Sequence, residues 1–243
     1  MINHIIKGEK GNGDIIFLHG FGGSAVSFSY AASFFCKKYR TTAVDFYGFG
    51  DTPPPEKPLT VDDYAGSVEE LMYYYGMNGA VLVAHSFGGR IAIKLAAENP
   101  KIKKLILADS AGIIPKRTAA YYFRVYLYKF LKKLRIKIKL GSRDYRSLSG
   151  VMQKTFVNIV NTDMTPYLGK IKCPTLIVWG ENDKETPLYM GEIMRGKIGN
   201  SALVVFKNCG HFAYLEESYK FLKLAEEFLA KDDADMPFGD RRV

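Results

Sequence analysis

The sequence is poor in cysteine: Cys36, Cys173 and Cys209 are an odd number among 243 residues and show no C-x-x-C spacing. That argues against a disulfide framework and a structural zinc site, and makes a reducing cytoplasm the expected setting. No apolar run approaches the roughly 18 residues of a membrane span, and Met1 to Lys10 lacks the apolar centre of a secretory signal. A G-K-[ST] phosphate loop and a G-x-G-x-x-G turn are both missing, so nucleotide binding is not expected. What is present is an ordinary balance, 47% hydrophobic and 24% charged. It is too apolar for disorder and long enough to bury a core without staples.

Charge is unevenly placed. From Ile113 to Ser147 there are eleven Lys and Arg against one acid, Asp144. The segment carries a formal +10 where the whole chain carries +9, which leaves the remainder at −1. The basic character belongs to one stretch, interleaved with Tyr121, Tyr122, Phe123, Tyr126, Tyr128, Phe130 and Tyr145. It reads as an amphipathic helix whose Lys and Arg stems cover apolar surface, with weak contact to anionic surfaces as the alternative. Nucleic-acid binding is not expected, because no recognition motif accompanies the charge.

Elsewhere short aliphatic runs alternate with helical patterns. Asp14 to Leu18, Thr41 to Asp45, Ala80 to Ala84, Lys104 to Ala108, Thr175 to Trp179 and Ala202 to Phe206 read as strands buried on both faces. Helices are expected over Ser24–Lys38, Thr60–Tyr75, Phe87–Glu98, Leu188–Gly196 and Glu216–Lys231, with Thr60 and Asp63 capping the second. This alternation implies a parallel α/β sheet with crossover connections. It breaks between Asp109 and Pro174, where a helical cap over 113–166 is expected as an insertion into a core of 1–112 and 167–243. Asp232 to Val243, polar with Pro and Gly, reads as a frayed tail.

The strongest chemical signal is Ala84-His85-Ser86-Phe87-Gly88-Gly89, directly after a strand and directly before a helix. A serine on such a turn presents its hydroxyl at the carboxyl edge of the sheet, where open α/β folds bind ligands. Small neighbours are needed there; Gly88 is one, and Ala84 stands where glycine is usual. The hydroxyl needs a base, and the chain has four histidines. His85 adjoins Ser86 and points away from it, His4 precedes the first core strand, and His19, followed at once by Gly20, suits a backbone role. His211, in the loop after the last strand, remains. An imidazole base needs a carboxylate to set its tautomer. Asp183 follows the strand just before the one leading to His211; Asp109 is its rival and Glu181 a further candidate. The turn His19-Gly20-Phe21-Gly22-Gly23-Ser24 can aim backbone N–H groups at an oxyanion, with Phe21 N–H and Phe87 N–H the expected pair.

In this chain order the segments resemble the α/β-hydrolase superfamily, in its cap-bearing, esterase-like branch, from about Asp14 to Leu229. Asp45 to Thr52 (DFYGFGDT) is similar to that family's D-x-x-G-x-G-x-[ST] segment. The resemblance implies an α/β-hydrolase fold, a mostly parallel central sheet flanked by helices, and acyl transfer by Ser86, His211 and Asp183 without metal or organic cofactor. Serine at the elbow separates the chain from the superfamily's epoxide hydrolases and dehalogenases. The leading expectation is a cytoplasmic serine esterase, monomer or homodimer, acting on a small carboxylic ester. Ser86-x-Gly88-Gly89-Arg90 is similar to a menaquinone-pathway synthase, and His211-Phe212 to carbon–carbon bond hydrolases, which usually carry tryptophan at the second position. Both resemblances imply an arginine on a substrate carboxylate. Arg90 and Phe212 are therefore candidate substrate contacts, although for Arg90 a structural role on its helix, paired with a nearby acid, is the preferred reading. A carbon–carbon hydrolase or related lyase acting on an acidic substrate is the second reading, and a receptor-like ligand-binding relative the third.

Overall fold

The computed structural model describes residues 1–11, 13–115, 148, 150–231 and 239–243. The six expected strands are present as β2 (Asp14–Leu18), β3 (Arg40–Val44), β4 (Ala80–His85), β5 (Ile102–Ala108), β6 (Thr175–Gly180) and β7 (Ser201–Phe206). Two more stand at the edges, β1 (His4–Lys7) and β8 (Arg241–Arg242), giving the order β1-β3-β2-β4-β5-β6-β7-β8. β1 is the antiparallel member, paired with β3; the other pairings are parallel.

The sheet separates two apolar layers, because consecutive strand residues point to opposite faces. Ile16, Leu18, Leu82, Ala84, Leu105, Leu107, Ile177 and Trp179 pack on one side. Ile15, Phe17, Val81, Val83, Ile106, Ala108, Leu176 and Val178 pack on the other. The first side is covered by α2 (Val61–Tyr74), α3 (Phe87–Glu98) and α6 (Tyr189–Lys197), the second by α1 (Ser29–Phe35) and α8 (Ser218–Ala230). α2 opens on the expected capping box: Thr60 Oγ1 accepts from Asp63 N–H, and the Asp63 carboxylate accepts from Thr60 N–H at 2.8 Å. Between β5 and β6 lie α4 (Gly150–Val160) and α5 (Thr165–Leu168), and α7 (Ala213–Glu216) precedes α8. Residues 116–147, with the expected basic and aromatic part of the cap, lie outside the described residues.

Two expectations need correction. Of the frayed tail expected over Asp232 to Val243, residues 232–238 lie outside the described residues, and the last three do not fray: Val243 N–H donates to Val205 O, and Lys207 N–H donates to Val243 O, both at 2.9 Å. Two polar residues on a sheet edge need no apolar alternation, so nothing in their pattern marks them as a strand. Similarly, the helix expected over 216–231 is broken at Glu217 (φ −117°, ψ 49°), which separates α7 from α8.

Candidate active site

β4 ends at His85 and α3 begins at Phe87, so Ser86 alone makes the reversal. It does so at φ 49°, ψ −114°, a region that costs a non-glycine residue about 1–3 kcal/mol. Hydrogen bonds hold it there. Ser86 N–H donates to Ala108 O at 3.2 Å, and Ser86 O accepts from the N–H groups of Gly89 at 2.9 Å and Ala111 at 3.0 Å. Gly88 is required by proximity, since a Cβ there would lie 2.3 Å from Leu18 O. Gly180 is required in the same way, because a Cβ would meet Gly210 O at 2.0 Å where the β6 turn crosses the His211 turn.

The turns after β4, β6 and β7 converge. His211 Nε2 lies 3.0 Å from Ser86 Oγ, and His211 Nδ1 lies 2.8 Å from Asp183 Oδ2. Asp183 also accepts from Thr186 Oγ1 on Oδ2 at 2.6 Å, and from the N–H groups of Glu185 at 2.8 Å and Thr186 at 3.0 Å on Oδ1. A carboxylate so surrounded only accepts, so Nδ1 carries the proton and Nε2 offers its lone pair to Ser86. Burial opposes charge on both partners. Hydrogen bonds from His211 and Thr186 nevertheless hold Asp183 below the usual carboxylate range. Asp183, with Glu185 beside it, holds His211 above the usual imidazole range.

The rival acids do other work. Asp109, at the end of β5 and fully buried, accepts from Gly180 N–H at 2.7 Å and Ala213 N–H at 3.1 Å, tying the acid and base turns together. Burial pushes its carboxyl up to about 7. Glu181 pairs with Arg242 at 3.3 Å. Of the other histidines, His4 bonds Ile2 O and the Tyr75 hydroxyl. His19, expected in a backbone role, works through its ring. Its Nδ1 bonds Gly20 O at 2.7 Å and its Nε2 accepts from Phe46 N–H at 3.1 Å, and burial lowers it to about 4. It thereby braces the turn that carries Phe21. The Asp45 carboxylate braces the same region, accepting from Ala25 N–H at 2.6 Å, Asp51 N–H at 3.0 Å and Asn3 Nδ2 at 2.7 Å. His85 bonds His211 O through Nε2 at 2.8 Å. Hydrophobic periodicity gave no sign of this contact or of those made by Thr186 and Glu185, because each depends on how separate turns meet.

Ser86 and His211 line a cavity of about 430 Å³ whose other described walls include Phe21, Phe87, Ala111, Phe156, Ile159 and Val160. Among the described residues, two charged side chains enter this apolar surface, Arg90 and Glu185. Arg90 is buried and donates through Nη1 to Thr162 O; among the described residues it forms no direct ion pair, although the Asp163 carboxylate lies near enough to favour its charge. Phe212 is 46% exposed, with its ring centroid 5.0 Å from that of His85, and it is not among the residues lining the cavity.

A sharp elbow serine, an imidazole aligned by a carboxylate, and three turns at the carboxyl ends of parallel strands define a family arrangement, and the alpha/beta hydrolase family matches residues 15–223. The chain belongs to that family. It is 29% identical to a 2-hydroxy-6-oxo-6-phenylhexa-2,4-dienoate hydrolase of Comamonas testosteroni, covering 91% of this chain and 89% of that one. It is 27% identical to a 2-hydroxy-6-oxononadienedioate/2-hydroxy-6-oxononatrienedioate hydrolase of the same organism, covering 91% and 90%. Among solved structures, an alpha/beta hydrolase enzyme from a Medee basin deep-sea metagenome library superposes with a TM-score of 0.77 at 22% identity, covering 98% and 97%. The fold is therefore the α/β-hydrolase fold, and the protein is a hydrolase. Among the described residues no helix is long and apolar enough to cross a membrane.

Proposed function

We propose that this hydrolase works through Ser86 as nucleophile, His211 as general base and then acid, and Asp183 as the group that orients the imidazole. The observation that supports this most directly is the aligned pair of contacts, 2.8 Å from Asp183 to His211 and 3.0 Å from His211 to Ser86, at the wall of an apolar cavity. His211 Nε2 takes the Ser86 proton as Oγ adds to a carbonyl carbon. The oxyanion is met by the N–H groups of Phe21 and Phe87. The leaving fragment departs with the bonding pair and the proton from His211, and water then releases the acyl group from Ser86 with the same base.

For the substrate, the carbon–carbon reading takes first place over the ester expected from the residues alone. The relatives named for hydrolysis of 2-hydroxy-6-oxo acids support it. So does the Arg90 guanidinium in the cavity wall, which suits a substrate carboxylate. A carboxylic ester is the second reading, supported by the Ser-His-Asp geometry, which serves any activated carbonyl.

The test is hydrolysis of 2-hydroxy-6-oxo-6-phenylhexa-2,4-dienoate and of p-nitrophenyl butanoate by wild type and Ser86→Ala. Turnover of the dienoate well above that of the ester, lost by about 10⁴-fold or more in Ser86→Ala, is the expected result. The reverse preference would install the ester reading. Saturable binding of either compound to folded protein without any turnover would refute both and leave a receptor-like protein.

A further inference from the structure

Asp183 engages His211 at Nδ1, whereas the Glu185 carboxylate faces the working end of that ring, Nε2. Its Oε2 lies 3.5 Å from His211 Nε2, its side chain is 60% exposed, and it lines the cavity. Its backbone is held close to the site, because Glu185 N–H donates to Asp183 Oδ1 at 2.8 Å. Nε2 is the atom that must hand a proton to the leaving fragment, and a proton donor and its acceptor meet at about 3 Å. Whatever the substrate's orientation, the departing atom and the Glu185 carboxylate are then at most about 7 Å apart. A charge up to four bonds beyond the departing atom, about 5 Å further on, still falls within the range over which partly exposed charges act on each other at low salt.

We infer that Glu185 is a specificity-determining residue that selects the leaving fragment by charge, favouring an ammonium or hydrogen-bond donor near the scissile bond and disfavouring an anion there. The inference rests on the hydrolase reading given above and deepens it. Arg90 supplies the opposite preference elsewhere in the same cavity, so a substrate carboxylate belongs beside Arg90 rather than beside Glu185.

The experiment compares two aryl butanoates of matched shape, 3-(trimethylammonio)phenyl and 3-tert-butylphenyl, by kcat/KM in wild type, Glu185→Gln, Glu185→Arg and Ser86→Ala. The intrinsic difference between the two phenols cancels when their ratio is compared across variants. Glu185→Gln should lower the cationic-to-neutral ratio by roughly fivefold at low salt, as expected for one partly exposed charge, and by less at high ionic strength. Glu185→Arg should lower it further. A ratio that stays within about 1.5-fold across wild type and both Glu185 variants would overturn the inference, while Ser86-dependent hydrolysis of either ester would still uphold the hydrolase reading. Folded wild type without Ser86-dependent hydrolysis of either ester would overturn the inference, while Ser86-dependent turnover of 2-hydroxy-6-oxo-6-phenylhexa-2,4-dienoate by the same sample would still uphold the hydrolase reading on which it rests.

Discussion

Replacing Asp183 with asparagine should separate the role of its charge and acceptors from that of its shape. The aspartate oxygens take four donors: the N–H groups of Glu185 and Thr186 on Oδ1, and Thr186 Oγ1 and His211 Nδ1 on Oδ2. An amide has one oxygen, and the two backbone N–H groups cannot turn away, so that oxygen takes the Oδ1 position. The NH₂ group then faces His211 and donates to Nδ1, which moves the ring proton to Nε2 and removes the lone pair that served Ser86. A wrong tautomer of this kind costs about 10⁴-fold in kcat, or about 5.4 kcal/mol of transition-state stabilisation. Folding should suffer little, by about 1 kcal/mol or less, because the Thr186 hydroxyl can turn to Asp109 O, 3.0 Å away, and accept from the new amide. Asp183→Ala should behave differently, since it leaves two backbone N–H groups without their acceptor at roughly 1–3 kcal/mol each. The assays are kcat/KM on whichever carbonyl substrate the wild type turns over, and urea denaturation of the same samples. An Asp183→Asn enzyme within about thirtyfold of wild type, at unchanged stability, would refute the tautomer argument.

Two further outcomes follow from buried charges that the chemistry does not consume. Asp109 holds its proton up to about pH 7 in the folded state, against an ordinary value of 3.8. Folded protein therefore binds a proton that unfolded chain has released between those values, and stability contributed by this group falls as pH rises through the window. Asp109→Asn should flatten that slope in urea midpoints measured from pH 4 to 7; an unchanged slope would place the pH dependence elsewhere. Lys104, buried within β5, directs Nζ to the carbonyls of Phe228 and Leu229, both at 3.3 Å, and of Lys231 at 2.6 Å, at the C-terminal end of α8. Lys104→Met should destabilise the protein by roughly 2–3 kcal/mol by denaturant titration, since it leaves those carbonyls without their cationic donor; a loss under about 0.5 kcal/mol would show them satisfied by other donors.

The sheet was legible in the sequence because six of its strands are largely buried on both faces, and such burial favours short runs dominated by aliphatic residues. Ser86, Asp183 and His211 were legible for a related reason. Each follows a recognisable strand within a few residues, and parallel strands deliver their carboxyl ends to one edge. Elimination among four histidines then left few pairings to consider. β1 and β8 escaped notice because edge strands carry no such constraint, and Arg241–Arg242 is exposed throughout.

Chain order alone thus determined which side chains reach the edge of the sheet. Only the tertiary structure decided what each carboxylate and imidazole does there. Asp109 and Asp183 both close buried strands, but Asp109 is met by two backbone N–H groups and Asp183 by an imidazole. His19 and His85 braced turns that their own sequence neighbours did not reveal. The placement of Glu185 at 3.5 Å from His211 Nε2 likewise came from the meeting of two turns 26 residues apart in the chain. Periodicity records the burial of a residue against its own element. A hydrogen bond within a few tenths of an ångström depends on the relative position of separate elements, and that is set by how the whole core packs.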